Sequence, residues 1–214
     1  MNNLVKASMM VLSDYPSEPV DTIFLFSRSP EDSIAVVELA SDLILGGIAK
    51  FILLADQDGE KWKRIIKYEA NPGKNYYIKQ LIKNGVSSDK IILCSHQVKD
   101  QIGFNTREES DSFLLMSAKK NYKTAVLVTQ PHQILRATLG TLKTNIDKKY
   151  NMKFWCATPQ SIDWYEKAGG SQGLEVKPRI DHIQDEVERV IKYQQKGDLA
   201  TFQEFFDFIK NRDQ

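Results

Sequence analysis

Two short runs of polar residues have the types and spacing to hold a small anion. Residues 124–137, Thr-Ala-Val-Leu-Val-Thr-Gln-Pro-His-Gln-Ile-Leu-Arg-Ala, pass from an apolar stretch into a helix start, with Pro131 where a first helical turn has no N–H to lose. His132 and Arg136 fall four residues apart on one face of that helix, next to Thr129 and Gln130 at the bend. An arginine so near a helix start opposes the helix dipole, so a carboxylate or a ligand anion has to compensate it. The second run, Asn105-Thr106-Arg107-Glu108-Glu109, opens another helix. Asn105 with Glu108, or Thr106 with Glu109, has the spacing of a capping box that satisfies orphan N–H donors. The same side chains project toward the crevice, where Glu108 could balance Arg136; the two readings are compatible.

Other candidates carry an ordinary alternative. His132 is either a general base or a donor that fixes its loop to a backbone carbonyl, and no Ser or Cys stands beside it at a nucleophile elbow. Arg28, after the first apolar run, either binds an anion or is a solvated loop charge. Asp56, after the second, occupies the place where a carboxylate accepts from ribose hydroxyls in dinucleotide-binding sheets. The first loop, Phe26-Ser-Arg-Ser-Pro30, lacks GxGxxG, which disfavours ordinary NAD binding. Asp56 and Asp58 in Asp-Gln-Asp-Gly59 read as a turn signal more readily than as a cation site, and Cys94 and Cys156 show neither CxxC spacing nor a nearby His pair. No metal is expected. Trp155, Trp164 and Tyr165 read as packing residues.

These groups need a scaffold, and the apolar runs supply one. Buried strands are expected at Asp21–Phe26, Lys50–Ala55, Lys90–Cys94, Ala125–Thr129 and Lys153–Ala157. Between them lie helices from about Glu31 to Leu45, closed by Gly46-Gly47, through Trp62, Ile65 and Ile66, from Lys74 to Lys83, from about Asn105 to Lys120, and from Pro131 to about Lys149. A loop from Ser95 to Phe104 carries His96 and Gly103. A short amphipathic helix over 4–14 precedes this core. After Ala157 a loop-like stretch runs through Gly173, followed by helices at about Arg179–Gln195 and Leu199–Lys210. Alternating strands and helices imply parallel crossovers and a sheet covered on both faces: an α/β, Rossmann-like, doubly wound parallel sheet of about five strands with extra C-terminal helices. In the order 3-2-1-4-5 the switch point lies between strands one and four, so Arg28 and the 129–136 segment open on one crevice.

With 29 Lys+Arg against 28 Asp+Glu, the net charge of +1 provides none of the excess that phosphate-backbone binding depends on, so nucleic acid is not an expected partner. The apolar runs fall far short of the roughly 20 residues that span a bilayer, and residues 1–14 lack a signal-peptide layout, which leads to an expected cytosolic location without membrane insertion. The 214 residues show no linker or composition break and read as one domain.

A buried strand followed by an Arg-containing loop, a later Asn-Thr-x-Glu at 105–108, then Val-Thr-x-Pro at 128–131 and Arg136-Ala137, resembles the YdcF/SanA/ElyC-like family, once labelled only as a domain of unknown function. The resemblance runs from about Asp21 to Gly197 and includes Glu186-Val-Glu-Arg189, Lys192-Tyr193 and Gly197. Two positions depart from the family pattern: Glu109 stands where the motif commonly has Asn, and Gln133 stands where a His commonly precedes the Arg by three residues. The first loop also lacks the usual glycines. The spacing with Pro131 is similar to the YdcF-like branch, described as binding S-adenosylmethionine. The resemblance implies a Rossmann-like domain with a ligand site around Asp56, Asn105, Glu108, Thr129 and Arg136. The expected function is therefore binding of a small anionic or nucleoside-type ligand, S-adenosylmethionine among the candidates, at the carboxyl edge of the sheet. In that reading Arg136 and Arg28 meet the anion, Asn105, Thr106, Thr129 and Gln130 supply hydrogen bonds, and Glu108 orients Arg136. The rivals are a hydrolase or transferase acting on a phosphorylated small molecule through His132 or Glu108, and a non-catalytic interaction module.

Overall fold

A computed structural model of the chain describes residues 2–59, 71–95, 105–169 and 176–214. Strands β1 (Val20–Leu25), β2 (Ala49–Ala55), β3 (Ile91–Cys94), β4 (Thr124–Val128) and β5 (Lys153–Ala157) form one sheet in the order β3-β2-β1-β4-β5, every pair parallel. The helices are α1 (Asn2–Ser13), α2 (Pro30–Leu45), α3 (Lys74–Lys83), α4 (Thr106–Lys120), α5 (Pro131–Asp147), α6 (Arg179–Gln195) and α7 (Phe202–Arg212). This is the expected Rossmann-like α/β arrangement with C-terminal helices. Among the described residues no helix is long and apolar enough to cross a membrane. The expected helix through Trp62–Ile66, the 96–104 part of the loop with His96 and Gly103, and Gly170 to Gly173 lie outside the described residues.

Strand side chains alternate between two apolar layers because their period is two. Phe24, Leu53, Leu127 and Phe154 point into one layer, with Phe113 of α4 and Ile134 and Leu142 of α5. Ile23, Leu25, Ile52, Leu54 and Val126 point into the other, where Val36, Ala40 and Ile44 of α2 and Tyr77 and Leu81 of α3 cover them. Burial on both faces is why these strands read as continuous apolar runs. The expected loop after Ala157 is corrected at one point: Lys167–Ala168 (β6) pairs antiparallel with Lys177–Pro178 (β7), leading straight into α6. Two-residue strands have no period for a sequence to display.

Two features hold the ends of elements where the site needs them. Beyond β2 the chain crosses itself at Gly59 and Gly73, whose backbones approach so closely that neither position has room for a Cβ, and Gly73 sits at φ 78°. At the far edge of the sheet Asp14, just past α1, accepts two bonds from Arg212 of α7, at 2.7 and 2.8 Å, and one from the Cys156 N–H at 3.0 Å. Arg212 also donates to the Phe154 carbonyl at 2.9 Å and lies over the Trp155 ring. Its side chain is 3 % exposed, so removing the carboxylate strands a buried guanidinium with only the half-exposed Asp213 as counter-charge. Asp14→Ala is expected to lower unfolding free energy by about 3 kcal/mol, read from the shift of a urea midpoint at unchanged m-value.

Candidate functional site

The strand order brings the carboxyl ends of β1 and β4 side by side: Leu25 pairs with Val128, and the Phe26 N–H donates to the Val128 carbonyl at 3.1 Å. Arg28 and His132, 104 positions apart in sequence, therefore meet, with Arg28 Nη2 at 3.2 Å from His132 Nε2. The loop that carries Arg28 is clamped by Tyr77 of α3, whose hydroxyl accepts the Arg28 N–H, donates to the Arg28 carbonyl and contacts Ser33. Its complete burial pushes the phenol pKa up, against the pull of its backbone bond to Arg28.

Three nearly buried guanidinium groups gather here: Arg28, Arg136 and Arg179. Arg136 of α5 pairs bidentately with Glu186 of α6, at 2.5 and 3.1 Å, and gives a third bond to Thr106 Oγ1 at 2.7 Å. Arg179, opening α6, donates to Asp32 at 2.8 Å and to Glu166 at 2.6 Å. Arg28 has the weakest ionic partner of the three, Asp32 Oδ2 at 3.5 Å, and its Nε is buried without a hydrogen-bond partner among the described residues.

The carboxylate beside Arg136 is thus Glu186, not Glu108. Glu108 Oε2 accepts the Asn105 N–H at 2.8 Å while Asn105 Oδ1 accepts from the Arg107 and Glu108 N–H groups, a completed capping box. Asn105 and Glu108 stand where a capping box puts them. Their neighbour Glu109 is the residue that turns inward, 3 % exposed, with Oε1 accepting the Ser27 N–H at 2.9 Å. Burial raises its pKa to about 8, against the lowering influence of the Ser27 bonds, Arg28 and Arg136, so it carries its proton at neutral pH. Burial works against charge on Glu186 as well, but the Arg136 guanidinium outweighs it and holds that carboxyl at about 2.

His132 is held neutral. Burial first, then the Arg28 cation, brings its pKa down to about 3. A guanidinium can only donate, so Nε2 accepts from Arg28 and the ring proton resides on Nδ1, which has no partner among the described residues. Both features make it a poor base near neutral pH. Thr129 donates to Gln133 Oε1 at 2.7 Å, and Gln133 reaches Thr106 Oγ1 at 3.4 Å, so Thr129 and Thr106 belong to the chain of bonds that supports Arg136. Gln130 spends its Nε2 on the Asp32 carbonyl, leaving its Oε1 buried and unpartnered. Asp56 is engaged by Lys74 Nζ and by Ser95 Oγ at the end of β3.

Sequence reading missed Asp32, Glu109 as the inward carboxyl, Arg179 as a site cation, and Gln57 and Ser29. Two of these left a trace: Asp32 is four residues after Arg28, and Glu109 sits at the position where the motif departs from its usual Asn. Buried polar atoms without partners, among the described residues, are Arg28 Nε, Ser29 Oγ, both amide atoms of Gln57, Gln130 Oε1, His132 Nδ1 and Ser117 Oγ. All but the last belong to segments leaving the carboxyl ends of β1, β2 and β4.

The buried groups predict an unusual pH profile. Glu109, raised on folding, contributes stability that is complete below the unfolded carboxyl pKa near 4.5 and declines by about 1.4 kcal/mol per unit as pH rises toward 8. His132, lowered on folding, contributes stability that is complete above 6.5 and declines as pH falls toward 3, and Glu186 behaves likewise between 4.5 and about 2. The opposing slopes of Glu109 and His132 cancel between pH 4.5 and 6.5. Denaturation midpoints should therefore rise to about pH 4.5, stay level to 6.5 and fall toward 8, whereas Glu109→Gln should keep rising to 6.5 and then stay level.

No family model, curated protein or solved structure matches this sequence, so the functional reading stands on these side chains and their geometry.

Proposed function

We propose that this protein binds a small anionic, hydroxyl-bearing ligand of the phosphate-ester or nucleoside type at the carboxyl edge of β1 and β4, with Arg28 as the anion contact. The observation that carries this reading is the charge imbalance of a buried cluster. Among the described residues three guanidinium groups face two buried carboxylates, Asp32 and Glu186, while burial pushes the Glu109 carboxyl up to about 8 and so toward its neutral form; at the rim Arg189 and the half-exposed Glu166 add one charge of each sign. A buried cation short of a counter-ion costs several kcal/mol, and an arriving anion recovers that cost. The unpartnered atoms extend the description. Among the described residues Arg28 Nε and the Gln57 amide N–H groups lack acceptors and Gln130 Oε1 and Gln57 Oε1 lack donors, which supports a ligand with hydroxyl or amine groups beside the anion. S-adenosylmethionine meets this through its carboxylate and ribose hydroxyls, in line with the YdcF-like resemblance; sugar phosphates and nucleotides meet it equally.

Arg136 serves in this reading as the frame. Bonded to Glu186 and Thr106, it holds the floor of the crevice while Arg28 keeps bonding capacity free. The hydrolase or transferase reading draws support from Glu109, a protonated carboxyl close to two arginines and suited to give a proton to a leaving oxygen.

A thermal-shift screen of S-adenosylmethionine, nucleotides, sugar phosphates and inorganic phosphate supplies a ligand for titration. Arg28→Gln is expected to bind it at least about tenfold more weakly, roughly 1.4 kcal/mol, without a lower melting temperature, while Arg136→Ala should melt at a lower temperature. Affinity for sulfate, whose charge is constant in this range, should weaken above about pH 8 as Glu109 ionises, and Glu109→Gln should abolish that dependence. Unchanged affinity in Arg28→Gln would place the ligand elsewhere. Turnover of a phosphorylated ligand lost in Glu109→Gln, with binding retained, would establish the enzymatic reading.

A further inference from the structure

Residues 27–29 belong to no strand or helix, so the backbone groups of Arg28 have no ladder to complete, and the residue is only 5 % exposed, which leaves little water to satisfy them. Both are met by one side chain from another layer. Tyr77 Oη accepts the Arg28 N–H at 2.5 Å and donates to the Arg28 carbonyl at 2.9 Å. Ser33 Oγ lies 2.5 Å from the same phenol oxygen and reaches the Arg28 and Ser29 carbonyls at 3.1 and 2.7 Å, which closes the cluster. Burial pushes the Tyr77 pKa up, so the hydroxyl keeps the proton with which it donates to one backbone group while accepting from the other.

The distances decide what fixes Arg28. Its guanidinium contacts are long, 3.5 Å to Asp32 and 3.2 Å to His132 Nε2, while its backbone contacts to Tyr77 are short. The backbone therefore determines where the cation sits, and Tyr77 holds the backbone. Tyr77 is in turn placed from the end of β2. It stands in the first turn of α3, whose start is bonded to the chain leaving that strand: the Lys74 N–H donates to the Gln57 carbonyl at 2.8 Å, Lys74 Nζ bonds Asp56, and the Gly59–Gly73 crossing seats the helix against it. A cation that follows β1 is thus set in place from β2, through a phenol that is itself 0 % exposed and so out of reach of any ligand.

We propose that Tyr77 is the positioning residue of the anion site: its hydroxyl sets the reach of Arg28 and thereby the affinity for the anion. The inference rests on the reading of Arg28 as the anion contact. Without the hydroxyl, the Arg28 N–H and carbonyl are buried and lose this partner, and the loop shifts to re-bond them, which carries the guanidinium off its place. Attraction between a guanidinium and an anion falls with their separation, and in a setting of low dielectric a small displacement is felt strongly. A tyrosine with a structural role alone would change stability and leave affinity as it was.

The test titrates sulfate into the whole chain by calorimetry. Wild type is expected to bind it, Arg28→Gln at least about tenfold more weakly, and Tyr77→Phe at least about fivefold more weakly while keeping a cooperative thermal transition. Leu81→Ala is the comparator. Leu81 lies four residues further along α3, fully buried in the same apolar layer, and bonds nothing in the Arg28 loop, so its loss should lower the melting temperature and leave sulfate affinity within about twofold of wild type. Adding Tyr77→Phe to Arg28→Gln should weaken binding no further, since the phenol acts only through that cation. If Tyr77→Phe does not fold, Ser33→Ala, which removes the hydroxyl bonded to the phenol, takes its place under the same expectations. A smaller loss in Tyr77→Phe, an equal loss in Leu81→Ala, or an additive loss in the double variant would each overturn the proposal and leave Arg28 as the anion contact. Absence of sulfate binding by wild type, or full affinity in Arg28→Gln, would overturn both.

Discussion

A fully buried carboxylate, Asp32, is the charge around which the carboxyl edge of the sheet is assembled. It stands in the first turn of α2, where the helix dipole favours an anion, but that alone does not offset removal from water. Its strong partner comes from 147 positions away, Arg179 at the start of α6, and this bond fastens the C-terminal helices over the crevice. Its backbone carbonyl takes Gln130 from the end of β4. Arg28 and His132 receive only the longer reach of the same carboxylate, 3.5 and 3.8 Å. One acid is thereby divided unequally, and the inequality leaves a cation with capacity for an outside partner.

The polar interior falls into two kinds of network. From Thr129 through Gln133 and Thr106 to Arg136, Glu186 and Arg189, each member is hydrogen-bonded to the next. A satisfied network in a low-dielectric interior is rigid and specifies one arrangement. Arg28, Ser29, Gln57 and Gln130, which follow the carboxyl ends of β1, β2 and β4, instead keep buried side-chain atoms without partners among the described residues. Such groups are costly to a folded protein unless something completes them, so the first network reads as support and the second as the surface it supports.

The sheet order, its parallel sense and most element boundaries were legible because burial on both faces leaves a strong trace in sequence, five apolar runs punctuated by glycine and proline. The helices Lys74–Lys83 and Arg179–Gln195 and the strand Lys153–Ala157 end where periodicity and capping residues place them. The β6–β7 pairing was not legible, since two residues cannot show an alternation. At the site, the meeting of Arg28 with the 129–136 segment followed from topology alone. Which carboxylate faces which arginine did not, because this depends on rotamers and on long-range docking. Glu108 and Glu109 are adjacent and chemically alike, yet a rotation of 100° along the helix sends one to the cap and the other into the core. Glu186 was visible in the closing motif, but nothing in the linear order assigns it to Arg136, 50 positions earlier.

The clasp between Asp14 and Arg212 has a meaning beyond the strength of its ion pair. Among the described residues strand β5 pairs only with β4 and so is an edge of the sheet, with a row of backbone groups turned outward. Such a row is a template on which another chain's strand can add. Here the Cys156 N–H is spent on Asp14 and the Phe154 carbonyl on Arg212. The two charged side chains occupy adjacent bonding positions that an incoming strand would need, and any strand approaching that edge must first displace a desolvated ion pair. The contact that closes α1 and α7 against the sheet thus also ends the sheet, and keeps its apolar core from continuing into the next molecule.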